Sequence, residues 1–312
     1  MDVRQLAALV AIADHGTFSA AARALFTVQS NVSTHISRLE KELGTKLVDR
    51  AQGALTDEGQ RVVERARRIL REMDEIAADV APVDGQVTGD VRMGVLGTTA
   101  RWLLPHLLAA LGTRHPNVRA IISEGSTSVL IPALLAGHFS AAVIHLPVDD
   151  PELVIEPLFA EDLVVVAHAE HPLAQHGELP LAEVASHRLF LPPAGSALRR
   201  VLDRAAGVVG VQLRAEAEID GVRLLASLAA DGHGAAIVPA TAVPQSATSR
   251  FGVVQVPELP PRVVALAHQR RPAPSAPTRA LFEVLRDVIA EQARQQRGVR
   301  VGTRAFPLSR AI

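Results

Sequence analysis

Two kinds of polar side chain recur in this sequence at spacings that could do chemistry. Between Val28 and Leu43, Ser30, Thr34, Ser37 and Lys41 share one face of a helix advancing about 100° per residue, and Gln29, Ser33 and Arg38 flank them. Hydroxyls, an amide and cations without bulky apolar groups match what a DNA major groove presents. Gln can pair with adenine at two atoms, Ser and Thr reach base edges or phosphates, and Arg pairs with guanine or phosphate. An ordinary solvated helix face carries the same residue types, so the stripe by itself leaves both readings open. Lys46 and Arg50 follow as cations placed for phosphates, or as plain surface charge.

The second kind is a set of hydroxyls at expected strand-to-helix junctions: Thr98-Thr99, Ser126-Thr127 and, further along, Ser196, with Gly221 at a similar junction. Ligands of open α/β sheets sit beyond the carboxyl ends of the strands. There the free amides and positive end of a helix, joined by a hydroxyl, suit a carboxylate or other anion. Helix capping alone would also explain Ser and Thr at these positions. His145, at a strand end, either faces such a cleft or is a structural histidine.

Other chemistry is thinly represented. The chain has no cysteine, which removes disulfides, thiolate metal sites and cysteine nucleophiles. G-x-S-x-G, H-E-x-x-H and phosphate-loop patterns are missing, and Gly232-x-Gly234 follows a helix without a third glycine. His168, His171 and His176 share a loop without an acidic partner in register, a weak case for metal. No catalytic residue, metal or cofactor is therefore expected.

The elements that must position these residues can be read from periodicity. Leu6, Leu9, Val10 and Ala13 set a helix over about 2–14, ended at Gly16. Thr17 has the chemistry of an N-cap for a short, small-residue helix, and Thr27 for a third helix running from Val28 to Leu43 and ended by Gly44. In that helix Val28, Val32, Ile36, Leu39 and Leu43 form an apolar stripe opposite the hydroxyls. Residues 46–56, with a turn at Gln52-Gly53, read as a small hairpin or wing. Thr56, Asp57 and Glu58 then open a long helix to about Ala81, before Pro82. Its Val62, Ala66, Ile69, Met73, Ile76 and Val80 alternate at four- and three-residue steps, a heptad seam that predicts a homodimer; packing on its own domain is the other reading.

The resulting organisation is a helix-turn-helix domain over 1–58, a linker helix over 57–81 and a polar hinge over 82–90. An α/β region over 91–295 follows, with lobe I at 91–160 and 265–295 and lobe II at 161–264. A basic tail over 296–312, expected to be disordered, completes the chain. In the α/β region strands and helices alternate, which predicts parallel sheets covered by helices.

At 312 residues the chain is long enough for two or three domains. It is 48% hydrophobic and 21% charged, so it is globular. No apolar run approaches a membrane span, and Met1-Asp2-Val3-Arg4-Gln5 lacks a signal-peptide pattern, so a cytoplasmic residence is expected. Net charge is -1, so any DNA affinity must come from local placement of cations rather than a global field.

The run Phe18-Ser19-Ala20-Ala21-Ala22, Leu25, Val28-Gln29-Ser30, Val32-Ser33, Ile36, Leu39-Glu40, Leu43-Gly44, Leu47, Arg50, Leu55-Thr56 and Gly59 resembles the DNA-binding signature of the LysR-type transcriptional regulators. Further pieces, among them Leu103-Leu104-Pro105, Glu124-Gly125-Ser126, His171-Pro172-Leu173 and Asp231-Gly232-His233-Gly234, are similar to that family's effector domain. The resemblance implies a winged helix-turn-helix with Gln29, Ser30, Ser33 and Thr34 facing the groove. It also implies a dimerising linker helix, an effector domain like periplasmic solute-binding proteins, and a homodimer or homotetramer acting on operator DNA. Ser30 and Thr34 stand where the family often has proline and arginine. A small molecule between the lobes, expected to be an organic acid, would modulate DNA binding. The rival is a solute-binding or small-molecule enzyme module with an accessory N-terminal domain.

Overall fold

The computed structural model describes residues 1–49, 54–79, 87–243 and 250–302. Arg50, the turn at Gln52-Gly53, and Val80 and Ala81 of the linker lie outside the described residues, as do residues 82–86 of the hinge.

The chain opens with helices α1 (Val3–His15), α2 (Phe18–Ala24) and α3 (Gln29–Leu43). Asp2 and Gln5 cap α1 reciprocally, each side chain accepting the other's amide at 2.9 Å. Gly16 ends the helix in the left-handed region, at φ 75. The Thr17 hydroxyl accepts the Ala20 amide at 3.1 Å and so caps α2. Thr27, expected to cap α3, does not. The chain enters that helix one residue later, with Val28 extended at the N-cap and no side-chain cap. That leaves the Thr27 hydroxyl to accept from the Asn31 side-chain amide at 2.9 Å.

A two-stranded hairpin follows, β1 (Val48–Asp49) antiparallel to β2 (Ala54–Leu55), and then α4 (Asp57–Asp79). Thr56 accepts the Gly59 amide and donates to the Lys46 carbonyl, joining the start of α4 to the hairpin. Leu6, Leu9, Ile12, Val32, Ile36 and Leu39 form one buried core with Val63 and Ala66 of α4.

The second half runs β3 (Gly89–Val95), α5 (Gly97–Arg114), β4 (Val118–Glu124), α6 (Thr127–Leu135), β5 (Ala141–His145), β6 (Leu153–Glu161), β7 (Leu163–His168), α7 (Leu181–Val184), β8 (Arg188–Leu191), α8 (Ala197–Val208), β9 (Arg214–Glu218), α9 (Val222–Ala230), β10 (Ala235–Pro239), β11 (Phe251–Gln255), β12 (Arg262–Gln269), α10 (Ala276–Gln292) and β13 (Val299–Arg300). Two sheets organise it, one in the order β13-β6-β12-β5-β3-β4 and the other β11-β7-β10-β8-β9. Apolar clusters fill both faces of each sheet.

Several expectations need correction here. The sheets are mixed: β3, β4 and β5 are mutually parallel, as are β8, β9 and β10, but β6, β7, β11, β12 and β13 pair antiparallel to their neighbours. The stretch around 153–168, which reads from sequence as a strand pair, is β6 and β7, and these do not pair with each other. Asp162 alone separates them and each joins a different sheet, a switch that a continuous apolar run conceals. The return crossing lies before Arg262, because β12 pairs with β6 from Arg262 onward, so residues 262–264 belong with the first lobe. Finally, the start of the basic tail is ordered. Val299 and Arg300 pair with Glu161 and Ala160, and Arg300 bonds Asp162 at 2.6 Å. At the other boundary, Gly89 and Asp90 of the expected hinge already belong to β3.

Candidate functional site

The third helix turns one side inward and one outward. Val32, Ile36 and Leu39 are fully buried, whereas the ends of the stripe, Val28 and Leu43, are exposed because the underlying core is shorter than the helix. Gln29, Ser30, Thr34, Ser37, Arg38 and Lys41 are exposed and Ser33 is half-buried. The structure therefore brings the hydroxyl-rich set together on one accessible surface. Thr34 donates to the Ser30 carbonyl at 2.8 Å, which leaves its oxygen lone pairs outward.

Glu40 is the residue of this half that periodicity did not single out. It is buried, and its carboxylate accepts the Leu47 amide at 2.9 Å and the Val48 amide at 3.3 Å, while Lys46 donates to it at 3.0 Å. Burial by itself would raise this carboxyl. The Leu47 amide, Lys46 and the Val48 amide outweigh it and hold the group below the usual carboxylate value. Glu40 thus fixes the hairpin to the third helix, and the Lys46 head stays exposed beside it.

The linker seam divides. Ala66 is buried in the N-terminal core beside Val63, which lies outside the seam, and Val62 packs only partly against it, whereas Ile69, Met73 and Ile76 remain exposed on one face. Arg67 bonds Asp14 of α1 and lies 3.1 Å from His138 Nε2 in the first lobe; Arg71 reaches Gln269 at 3.1 Å. Burial, then the neighbouring Arg67, lowers the His138 pKa.

Between the lobes lies a cleft of about 610 Å³ whose lining includes Thr98, Ser126, Thr127, His145, Ser196 and Gly221. Four helices begin on it: α5, α6, α8 and α9. Only α8 has a side-chain cap, the Ser196 hydroxyl accepting the Arg199 amide; α5, α6 and α9 have none. The amides of those three N-termini and the dipoles of all four helices bias the cleft towards negative charge. Thr98 and Thr99 sit within the first turn of α5, not before it as expected. Thr99 does not line the cleft; its hydroxyl is buried without a partner. Thr127 accepts the His145 amide at 3.1 Å. Burial, reinforced by Arg262, pushes the His145 pKa down to about 4. The ring is therefore neutral at pH 7, and with Nδ1 donating to the Leu146 carbonyl at 3.1 Å, Nε2 is left as an acceptor.

The charged residues of the cleft were not foreseen. Arg262 forms its floor, buried, and donates to Thr98 at 2.7 Å and through Nε to Glu161 at 2.9 Å. Glu161, fully buried, also accepts the Thr241 amide at 2.9 Å and hydroxyl at 2.7 Å. At the mouth, Arg223 of α9 donates to both oxygens of Glu124, at the end of β4, at 2.8 Å.

Residues 3–60 match the family model described as "Bacterial regulatory helix-turn-helix protein, lysR family", and residues 84–290 match "LysR substrate binding domain". The chain belongs to the LysR family. It is 29% identical over 298 residues to the "DNA-binding transcriptional dual regulator OxyR" of Escherichia coli K12, covering 93% of this chain and 95% of that one. It is 32% identical over 296 residues to the "Probable hydrogen peroxide-inducible genes activator" of Streptomyces viridosporus, covering 92% and 94%. A full-length OxyR cysteine variant from Pseudomonas aeruginosa superposes with a TM-score of 0.72 at 26% identity, covering 93% of this chain and 97% of that one.

This LysR regulator therefore couples a DNA-binding helix-turn-helix to a two-lobed effector domain. A signal for its cleft charges did exist in the sequence: Glu161 and Arg262 each stand beside an apolar strand run, Leu158-Phe159-Ala160 and Val263-Val264-Ala265. Charge at the edge of a run predicted to be buried calls for a partner. Only the register of β6 and β12, which sets the two opposite each other, reveals which one. Among the described residues no group of His, Asp and Glu is arranged to hold a metal. His168 and His171 accept the Glu170 and Leu173 amides in their own turns. No helix there is long and apolar enough to cross a membrane.

Proposed function

We propose that this regulator acts in the cytoplasm as a homodimer, paired through Ile69, Met73 and Ile76 of α4 and able to assemble further into a tetramer. It reads operator DNA with Gln29, Ser30, Ser33, Thr34, Ser37 and Arg38, while Lys46 and Arg50 meet phosphates. A small organic anion binds the interlobe cleft, contacting Thr98, Ser126, Thr127, Ser196 and the backbone at Gly221, with His145 Nε2 accepting from a ligand hydroxyl. Thr99 supports the α5 turn from behind. The chain performs no catalysis. The observation that carries this reading is the convergence of four helix N-termini from both lobes on one cleft, three of them without a side-chain cap. A ligand bridging them would change the interlobe angle. Arg67 and Arg71, which tie the first lobe to α4, would carry that change to the DNA half-sites.

The input differs from thiol oxidation. The chain resembles proteins named as hydrogen peroxide-inducible genes activators, but its 312 residues include no cysteine, so no sulfenic acid or disulfide can form.

Gel-shift titration on DNA upstream of the gene, with carboxylate metabolites added singly, tests both halves. Binding should fall with salt and be lost in Ser37→Glu, and one carboxylate should change affinity or footprint. Indifference to Ser37→Glu would remove the DNA assignment. A response that survives Thr98→Val and Ser126→Ala would remove the cleft assignment.

A further inference from the structure

Of the cleft's two ion pairs among the described residues, only the exposed one at the mouth joins the lobes: Glu124 ends β4 and Arg223 lies on α9, whereas Glu161 and Arg262 face each other on neighbouring strands of the first lobe's sheet. The Glu161–Arg262 pair is buried and bonded on every side. Glu124 and Arg223, by contrast, are each roughly half exposed, where an ion pair contributes little to stability. Their position is informative. The Glu124 carboxylate lies against the backbone of Gly97, the first residue of α5, so closely that a Cβ there would collide with it, and Arg223 Nε borders the same point. Leu96, at the N-cap of α5, offers no side-chain acceptor. Just behind, the Thr99 hydroxyl is buried without a partner. A carboxylate of the chain itself therefore stands against the first residue of an uncapped helix in the cleft and spans to an arginine of the other lobe.

We propose that Glu124 is the resident anion of the cleft and determines its specificity: a ligand binds by taking over its two contacts, the α5 N-terminus and Arg223. This rests on the anion-binding reading above and narrows it. The ligand must carry a carboxylate that can hold both lobes as Glu124 does. Neutral or cationic molecules of the same size cannot displace it. In the empty cleft Glu124 holds the lobes together; once displaced, it leaves the ligand to set their angle.

The lack of cysteines allows a direct test on the full-length chain. Spin labels are placed at Thr113→Cys in the first lobe and Val208→Cys in the second, both exposed, and interlobe distances are measured without ligand in otherwise wild-type, Glu124→Gln and Arg223→Gln proteins. Both substitutions should shift or broaden the distribution. Glu124→Gln should also bind succinate or benzoate about tenfold more tightly than wild type, as expected when a group that fills a site nine-tenths of the time is neutralised. Unchanged ligand-free distances in both variants would overturn the resident role of Glu124, whatever the cleft binds. Shifted distances with no carboxylate bound by Glu124→Gln, even at millimolar concentration, would instead overturn the anion cleft and this inference with it. Circular dichroism of each variant confirms that the compared chains are folded.

Discussion

Polar side chains are held in opposite ways at the two working ends of this molecule. On α3 the hydroxyls, Gln29 and the cations lie on the outside of a helix whose other face is anchored by Val32, Ile36 and Leu39. In the cleft and beneath it, Thr98, Thr127, His145, Glu161 and Arg262 are buried, and their bonds to one another tie together the first-lobe elements that form its wall. Surface polarity can change at little cost to folding, since water replaces each lost partner. Buried polarity cannot, because a lost partner leaves a desolvated group behind. DNA recognition should therefore be adjustable residue by residue, whereas ligand recognition should be bound up with stability.

The largest effect should come from the cleft floor. Glu161→Ala leaves Arg262 as an uncompensated buried charge and deprives Thr241 of its acceptor. Chemical denaturation of the full chain should show a loss of about 3–5 kcal/mol. The double variant Glu161→Leu with Arg262→Leu should recover much of this, since it is the single charge that is penalised. Equal losses in single and double variants would mean that the pair is not the source.

His145 should show the next largest effect, through pH. Its folded pKa is near 4, below the unfolded value of about 6.5. Between those values the unfolded chain binds a proton that the folded chain refuses. Stability is thus fully present above about pH 6.5 and falls on acidification, by about 3 kcal/mol once pH reaches 4. The difference in unfolding free energy between wild type and His145→Gln, followed from pH 7.5 to 4.5, should carry that slope. A flat difference would mean that the ring is solvated.

Glu40 sharpens the comparison, because it is the buried carboxylate of the DNA half. Glu40→Ala strips the Leu47 and Val48 amides of their acceptor and should cost about 2 kcal/mol, together with the hairpin geometry. Its contribution has the sign of a lowered carboxyl: present above the ordinary carboxylate range and lost as pH falls through the folded pKa. Thermal unfolding at pH 7 and at pH 3.5 should show the variant's deficit shrinking at the lower pH.

The same contrast governs what could be read from sequence. Surface-directed patterns were legible: the face of α3, the caps at Thr17 and Thr56, and nearly every strand and helix of the second half follow from local periodicity. So did the strand-to-helix hydroxyls, since a position at a strand end depends on local order; six of the seven cleft positions named from sequence line one cavity. Glu161, Arg262, Glu124 and Arg223 escaped because their partners are far away in the chain, up to 101 residues in the case of Arg262 and Glu161. The pairing of Glu161 with Arg262 depends on which sheet β6 and β7 enter, and the switch between them, at Asp162, carries no local signal.

The smallest stability effect belongs to Gln29, where the two halves of the comparison separate most cleanly. The residue is exposed in the first turn of α3, and alanine suits a helix at least as well as glutamine. Gln29→Ala should therefore change unfolding free energy by less than about 0.5 kcal/mol. If its amide reads an adenine through two hydrogen bonds, the same substitution should weaken specific DNA binding by about 1–3 kcal/mol. Nonspecific binding, which depends on phosphate contacts, should barely change, and the salt dependence of affinity should keep its slope. Matched gel shifts on cognate and scrambled duplexes separate the outcomes. Loss of specific binding alone places Gln29 at a base edge, and equal loss on both duplexes places it at the backbone. A fall in stability alongside either would show that this face of α3 is not the freely substitutable surface its exposure implies.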